Sequence, residues 1–134
     1  MTEAIIQCPC GSHKRLSACC GPFHAGRATP RTARQLMRSR YCAFALGGRG
    51  DYLLQTWHPD TRPAVSAAEL GAADTDWVKL EILDSRQQGE SATVEFKAYW
   101  RDADRQLQLH HEISRFVRQA GRWLYVDPVT LSGS

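Results

Sequence analysis

The spacing of apolar residues changes once along this chain, between its first and second halves. In the first half, Leu36, Met37, Tyr41 and Phe44 share one side of a helical wheel, which predicts a helix over residues 31–46. From Trp77 onward apolar and polar residues alternate, which is typical of half-buried strands. The chain is therefore predicted to have helices first and a sheet second.

Residues that cap or break helices bound the helical half. Thr29-Pro30 fits an N-cap and first helical residue, and the Gly47-Gly48 pair predicts the end of the long helix. Two shorter helices are predicted over residues 51–57 and 66–70, the first stopped by a His-Pro pair and the second by a glycine. The Trp57-His58-Pro59 corner is either the rim of a pocket or a packed aromatic followed by a turn.

Four strands are predicted in the second half, joined by hairpin-like turns, so consecutive strands pair antiparallel. Helices followed by such a meander indicate an α+β fold, with the helices packed on one face of the sheet. The positions predicted to face the helices are Val78, Leu80 and Ile82; Val94, Phe96, Ala98 and Trp100; and Leu107, Leu109, His111 and Ile113. A last strand is predicted over residues 121–127.

One charged residue falls inside the predicted core. Arg40 lies in the middle of the apolar stripe of the long helix, between Leu36 and Phe44. A buried guanidinium stays protonated and needs an acceptor, so we expect Arg40 to meet one from the sheet. It would either lock helix to sheet, through an ion pair or a carbonyl contact, or anchor an anionic ligand. The carboxylates considered for it are Glu81, Glu95, Glu112 and Asp127.

A second polar residue follows the apolar phase of a strand. His111 lies between Leu109 and Ile113 in the alternation, so it is predicted to point into the domain and His110 to the opposite face. An inward His111 is either a core histidine satisfied by a backbone carbonyl or an acid–base group in a cavity.

Four of the five cysteines occur within thirteen residues. They form a Cys-x-Cys pair, Cys8 and Cys10, and an adjacent pair, Cys19 and Cys20. Four thiolates within reach of one another suit one closed, structural, tetrahedral zinc ion. His13 or His24 is an alternative ligand in place of one cysteine.

Disulfides are the other interpretation of these cysteines. The residues before Cys8 are too short, and lack the charged start, for a secretory signal, so we expect a reducing cytoplasm, where clustered cysteines are more often metal ligands. The fifth cysteine, Cys42, is expected to be a partly buried thiol.

Length and composition are those of one small globular protein without a membrane-spanning segment. The chain has 134 residues, 43% of them hydrophobic, enough for one modest core plus a small appendage, and no apolar run is long enough to span a membrane. The net charge of +3 divides unevenly: residues 1–50 carry eight Lys/Arg and one Glu (+7), while residues 51–134 carry nine Lys/Arg and thirteen Asp/Glu (−4). The basic first half is either a solvated helix face beside a metal site or a surface for an acidic partner.

The cysteine segment resembles a known motif. Cys8-Pro-Cys10-Gly-Ser followed by Cys19-Cys20-Gly is similar to the SEC-C motif, a zinc-binding segment found on many otherwise unrelated bacterial proteins. The segments 35–44, 52–59 and 116–127 resemble the bacterial YchJ family, whose biochemical function is not established.

The resemblance implies a SEC-C motif over residues 1–26, followed by a nuclear-transport-factor-2-like α+β domain over residues 27–134. In that fold, helices cover a curved sheet and form a cone. It also implies a zinc cofactor. Because SEC-C motifs elsewhere are associated with protein or ribosomal partners, it favours a protein or ribonucleoprotein partner.

Three functions follow from these observations. The first is a cytoplasmic, zinc-binding, non-catalytic binding or adaptor module. The second is a small-molecule enzyme of the isomerase or dehydratase type that uses the cone cavity, with Arg40 and His111 lining it. The third is non-specific nucleic-acid binding through Arg31, Arg34 and Arg38, for which the sequence supports phosphate contact only, since no aromatics are interleaved to stack on bases.

Overall fold

The computed structural model describes residues 6–129 as a four-stranded antiparallel meander with helices against one face, which confirms the predicted α+β class. The strands lie in the order β1-β2-β3-β4. In chain order the elements are a 3-10 turn (Leu16–Ala18), helices α1 (Gly21–His24), α2 (Ala33–Leu46), α3 (Gly50–Gln55) and α4 (Ala67–Leu70), and strands β1 (Asp76–Gln88), β2 (Ser91–Arg101), β3 (Leu107–Gln119) and β4 (Arg122–Val129).

Helix α2 is the long predicted helix, but it starts two residues later than expected. Thr32, not Thr29, is its N-cap: its backbone is extended and its side-chain oxygen accepts a hydrogen bond from the Gln35 amide at 3.0 Å. Gly47 ends the helix with φ +74°. A side chain at Gly47 would also lie 2.6 Å from the Cβ of Ala73, so both conformation and space require glycine there.

The short helices α3 and α4 pack closely on each other. A Cβ placed on Gly50 would lie 1.7 Å from the carbonyl oxygen of Ala67, so only glycine allows this approach. Ser66 caps α4, as predicted, by accepting a hydrogen bond from the Glu69 amide. This arrangement fixes the segment that leads into β1.

The inner face of the sheet packs on α2 to form the core. Register shifts after Trp77 and after Ile82 place two irregularities in β1, the kind of feature that bends a strand and lets a sheet curve around a helix. The largest completely buried apolar side chains at this contact come from α2, α3, β2 and β3, and they are Leu36, Leu53, Val94 and Phe116.

The predicted phase of β3 is wrong. Regular pairing with β2 puts His110 opposite the buried Ala98 and Glu112 opposite the buried Phe96, so His110 and Glu112 face inward. His111 faces outward, where its Nε2 atom lies 2.8 Å from a carboxylate oxygen of Glu95. His111 therefore does not line the cavity.

The error has a physical cause. Leu107 and Leu109 are 55% and 51% exposed on the outer face of the sheet, while the inner face of the same strand is polar because it borders a cavity. The usual rule, apolar inside and polar outside, is inverted along this part of β3. Among residues 6–129, no helix is both long and apolar enough to cross a membrane.

Candidate metal centre and cone cavity

The four N-terminal cysteines lie together at one end of the fold. A short antiparallel bridge between Gln7 and Arg15 turns Cys8 and Cys10 toward the start of α1, where Cys19 and Cys20 follow the 3-10 turn. The four Sγ atoms all lie within 4.8 Å of one another. We call the described residues 6–26 the knuckle.

The geometry of this group fits a metal ion. The Sγ atom of Cys19 lies 3.6 Å from that of Cys10 and 3.9 Å from that of Cys20. In a tetrahedral thiolate site with bonds of about 2.3 Å, neighbouring sulfurs are about 3.8 Å apart. The four cysteines can therefore hold a metal ion.

Neither alternative histidine takes part in this group. The Nε2 atom of His24 lies 2.8 Å from the Ser39 carbonyl oxygen, and its Nδ1 accepts a hydrogen bond from the Arg49 Nε at 3.1 Å. Both ring nitrogens are occupied, and burial lowers the pKa of His24. His13 is exposed and lies outside the cysteine group.

Helix α2 holds the knuckle through two side chains one turn apart. The Arg38 Nη1 donates to the Cys10 carbonyl at 2.9 Å, and the Sγ atom of Cys42 lies 3.2 Å from that of Cys8. Cys42 is completely buried, more than its sequence position suggested. The i, i+4 spacing of Arg38 and Cys42 was the available signal that both share one helix face.

Helix α2 faces a cavity of about 200 Å³ on its other side. Aromatic and apolar side chains from α2, the segment after α3 and strands β1, β2 and β4 form most of its wall. These are Met37, Tyr41, Phe44, Trp57, Trp77, Phe96, Ala98 and Tyr125. The polar lining residues are Arg40, His110, Glu112 and Ser114.

Arg40 is buried, as predicted, with 4% of its surface exposed. Its Nη1 atom donates to the Leu53 carbonyl at 2.8 Å and to the Thr56 Oγ1 at 2.7 Å. The expectation of an acceptor from the sheet was wrong: both acceptors lie at the C-terminal end of α3, whose last carbonyls have no partner within the helix.

Aromatic rings hold the guanidinium of Arg40 from two sides. Its central carbon lies 4.9 Å from the centre of the Trp57 ring and 4.8 Å from that of Tyr125. Burial lowers the pKa of Arg40 to about 10, a shift that the nearby Tyr125, Tyr52 and Glu112 oppose. Arg40 therefore remains a cation at neutral pH.

A hydrogen-bonded network on β3 and β4 forms the opposite polar side of the cavity. Glu112 accepts a hydrogen bond from the Ser114 hydroxyl at 2.5 Å and from the Tyr125 hydroxyl at 3.3 Å, and its Oε1 lies 2.9 Å from the His110 Nε2. The hydrogen bond to Glu112 raises the pKa of His110. Burial raises the pKa of Glu112, but these partners outweigh it and leave the pKa below its ordinary value.

His110 is a site residue that the strand pattern did not predict, and Glu112 was predicted only as a partner for Arg40. The available signal was the polar series His110, Glu112 and Ser114 at spacings of two, in phase with the buried Phe116. A run of polar residues on the core phase of a strand is what a lined cavity requires.

The corner after α3 forms the rim of the cavity. The His58 amide donates to the Tyr125 carbonyl at 2.8 Å, and the Tyr125 amide donates to the Thr56 carbonyl at 2.8 Å, which ties the corner to β4. Trp57 lines the cavity. In the described part of the chain, its Nε1 is the one fully buried side-chain nitrogen or oxygen without a hydrogen-bond partner.

The fold and these two sites define a class: a small cone-shaped α+β domain with a cavity between α2 and the sheet and an N-terminal four-cysteine knuckle. A family model described as "YchJ, middle NTF2-like domain" matches residues 32–128. The chain is 53% identical over 123 residues to a UPF0225 protein of Bordetella pertussis, covering 90% of each, and 48% identical over 130 residues to one of Ralstonia nicotianae, covering 90% of this chain and 88% of the relative.

Solved structures agree with this assignment. The chain is similar to a SEC-C motif containing protein from Rhodopseudomonas palustris, with a TM-score of 0.84, 35% identity and coverage of 95% of this chain and 100% of the other. A SEC-C motif containing protein from Psychrobacter arcticus gives a TM-score of 0.80 and 32% identity, covering 100% of this chain and 88% of the other. The chain belongs to the YchJ (UPF0225) family.

Proposed function

We propose that this protein is a zinc-stabilised, non-catalytic binding module and that the cone cavity is its binding site for a small molecule. The observation that carries the proposal is a cavity with mostly aromatic walls. It is also lined by a buried cation, Arg40, and by the hydrogen-bonded pair His110 and Glu112. Arg40, His110 and Glu112 are the polar groups that would orient a ligand, and the rings around them would cover it.

The metal has a structural role in this proposal. Cys8, Cys10, Cys19 and Cys20 would hold one zinc ion, and four protein thiolates leave no coordination position open for a substrate. The ion would order the knuckle, which contacts α2 through Arg38 and Cys42. Because α2 also carries Arg40, the knuckle supports the helix that shapes the cavity. Reduced thiols are consistent with the proposed cytoplasmic location.

A ligand screen by thermal shift tests the proposal. The library should hold compounds of about the size of benzene, because a cavity of about 150 Å³ accommodates benzene and this one measures about 200 Å³. Ala98→Leu is the matched variant, since the buried Ala98 lines the cavity and a larger side chain there would fill it.

We expect some of these compounds to raise the melting temperature of the parent and to have no effect on Ala98→Leu. If no compound stabilises the parent, or if the variant responds equally, the cavity is not the binding site.

The second candidate is an acid–base enzyme, favoured by the His110–Glu112 pair. Glu112 fixes the orientation of the His110 ring and raises its pKa, as a general base near neutral pH requires. A ligand found in the screen should then exchange a C–H proton with D2O in the presence of the parent, as observed by NMR. Loss of this exchange in His110→Gln with affinity retained would favour the enzyme, and no exchange with the parent would favour the binding module.

A protein or ribonucleoprotein partner at the basic surface of the knuckle and the adjoining residues 27–34 is a further proposal, since the resemblance to SEC-C motifs favours such a partner. The basic side chains Lys14, Arg15, Arg27, Arg31 and Arg34 are exposed, and none forms an ion pair within the described residues. Pull-down with the parent and with an Arg31→Ala, Arg34→Ala double variant tests this surface. Nucleic-acid binding would show an affinity that falls steeply with salt.

A further inference from the structure

The guanidinium of Arg40 has an edge that the protein does not use. Both hydrogen bonds described for it come from Nη1, one to Leu53 and one to Thr56, which accounts for both hydrogens of that nitrogen. Among the described residues, Nε and Nη2 have no partner. They form the edge of the guanidinium that binds a carboxylate through two parallel hydrogen bonds.

This edge opens to the cavity and is not sealed in the core. In the described part of the chain, the Trp57 Nε1 is the one side-chain nitrogen or oxygen that is both fully buried and unpaired, so the free nitrogens of Arg40 keep some access. The residue as a whole is only 4% exposed and it lines the cavity. The access is therefore from the cavity.

The other polar groups do not neutralise Arg40 directly. The carboxylate oxygens of Glu112 are occupied by His110, Ser114 and Tyr125, and no hydrogen bond joins Glu112 to Arg40. Buried cations are usually paired with an anion. The rings of Trp57 and Tyr125 contact the guanidinium but provide no anion.

We propose that the cone cavity binds a small aryl carboxylate of about the size of benzoate, with its carboxylate on the Nε and Nη2 atoms of Arg40 and its ring among the aromatic side chains. The proposal rests on the proposed function and adds the chemical class of the ligand. The volume of about 200 Å³ sets the size, and the rings of Tyr41, Phe44, Trp77 and Phe96 favour a planar apolar body.

Isothermal titration of the full-length protein with benzoate and with benzamide tests the charge requirement. Benzamide has the same shape without the negative charge. We expect benzoate to bind at least about tenfold more tightly than benzamide, because a charge-assisted bidentate contact replaces a neutral one. Equal affinities, or tighter binding of benzamide, would overturn the carboxylate inference while leaving a small-molecule cavity in place.

Three variants test where the two ligands bind and what causes the preference for benzoate. In Arg40→Met, which keeps the apolar stem, we expect the preference for benzoate to disappear, and a retained preference would contradict the proposal. Should Arg40→Met not fold, Arg40→Lys keeps the positive charge but lacks the two parallel N–H donors of the guanidinium. The preference for benzoate over benzamide should fall in that variant as well. Ala98→Leu should weaken both ligands. Binding that persists in Ala98→Leu, or no binding of either probe to the parent, would overturn the cavity site itself.

Discussion

Removing the guanidinium of Arg40 should destabilise the fold, since Arg40 joins α2 to the end of α3. We consider Arg40→Met, which replaces the guanidinium by an apolar group and keeps most of the stem. The Leu53 carbonyl would lose its hydrogen bond at 2.8 Å, and its other side-chain contact is the Thr56 hydroxyl at 3.4 Å. The rings of Trp57 and Tyr125 would each lose their contact with the cation.

The expected loss follows from these contacts. An unsatisfied buried carbonyl costs about 1–3 kcal/mol. Each of the two contacts between the cation and a ring contributes about 0.5–1 kcal/mol net, because the larger value of about 2 kcal/mol for a desolvated contact is offset by the cost of burying the cation. The free energy of unfolding should therefore fall by about 2–5 kcal/mol, a large share of the 5–15 kcal/mol typical of a domain. Urea unfolding followed by tryptophan fluorescence measures this difference, provided that the slope with denaturant is unchanged.

Arg34→Met is the matched control, because Arg34 lies exposed on the same helix. Its free energy of unfolding should change by no more than about 0.5 kcal/mol. If Arg40→Met is as stable as Arg34→Met, the contacts of the buried guanidinium do not stabilise the fold and the reasoning fails.

Three further predictions concern the knuckle, the cavity and the helices. Metal analysis should find one zinc per chain. The double variant Cys19→Ser, Cys20→Ser should lose the zinc and the hydrogen-exchange protection of the knuckle, while β1–β4 stay protected. Zinc retained by that variant would contradict the ligand set. Because Glu112 raises the pKa of His110 in the folded state, this pair stabilises the fold below the unfolded pKa of about 6.5 and the stabilisation is lost as pH rises through the folded pKa. Unfolding at pH 6 and pH 8.5 should therefore show a stability difference between parent and His110→Gln that shrinks at the higher pH, and a constant difference would contradict the coupling. Gly50→Ala should lower the free energy of unfolding by about 1–3 kcal/mol, because its Cβ would lie 1.7 Å from the Ala67 oxygen, and an unchanged stability would show that α3 and α4 do not pack so closely.

The periodicity of apolar residues was sufficient to predict the order of helices and strands, but not which face of every strand is buried. The 3.6-residue pattern of α2 predicted the burial of Arg40, because helix phase follows from sequence alone once several apolar residues agree. The acceptors of Arg40 were not predictable, since they are groups at the end of another helix and not a carboxylate visible in the sequence. Thr32 and not Thr29 is the N-cap, because the side chain of Thr32 accepts a hydrogen bond from the Gln35 amide.

Strand β3 shows where alternation misleads. Its phase is set by pairing with β2, where Ala98 and Phe96 are buried, and not by the apolar character of its own residues. This cavity has polar side chains on the core phase of β3, so His110 and Glu112 occupy positions that the pattern assigns to the exterior. The grouping of Cys8, Cys10, Cys19 and Cys20 was predictable, because a short segment keeps its ligands close whatever the rest of the chain does.

The resonances of the tryptophan side chains test the central claim, that the cone cavity takes a small molecule. Trp57 and Trp77 line the cavity, whereas the Nε1 of Trp123 donates to the Arg31 carbonyl at 3.2 Å, away from it. In a ¹H–¹⁵N NMR titration with benzoate and benzamide, we expect saturable shifts of the Trp57 and Trp77 indole signals and none of Trp123. Shifts confined to Trp123, or no shift of the cavity indoles with either compound, would contradict it.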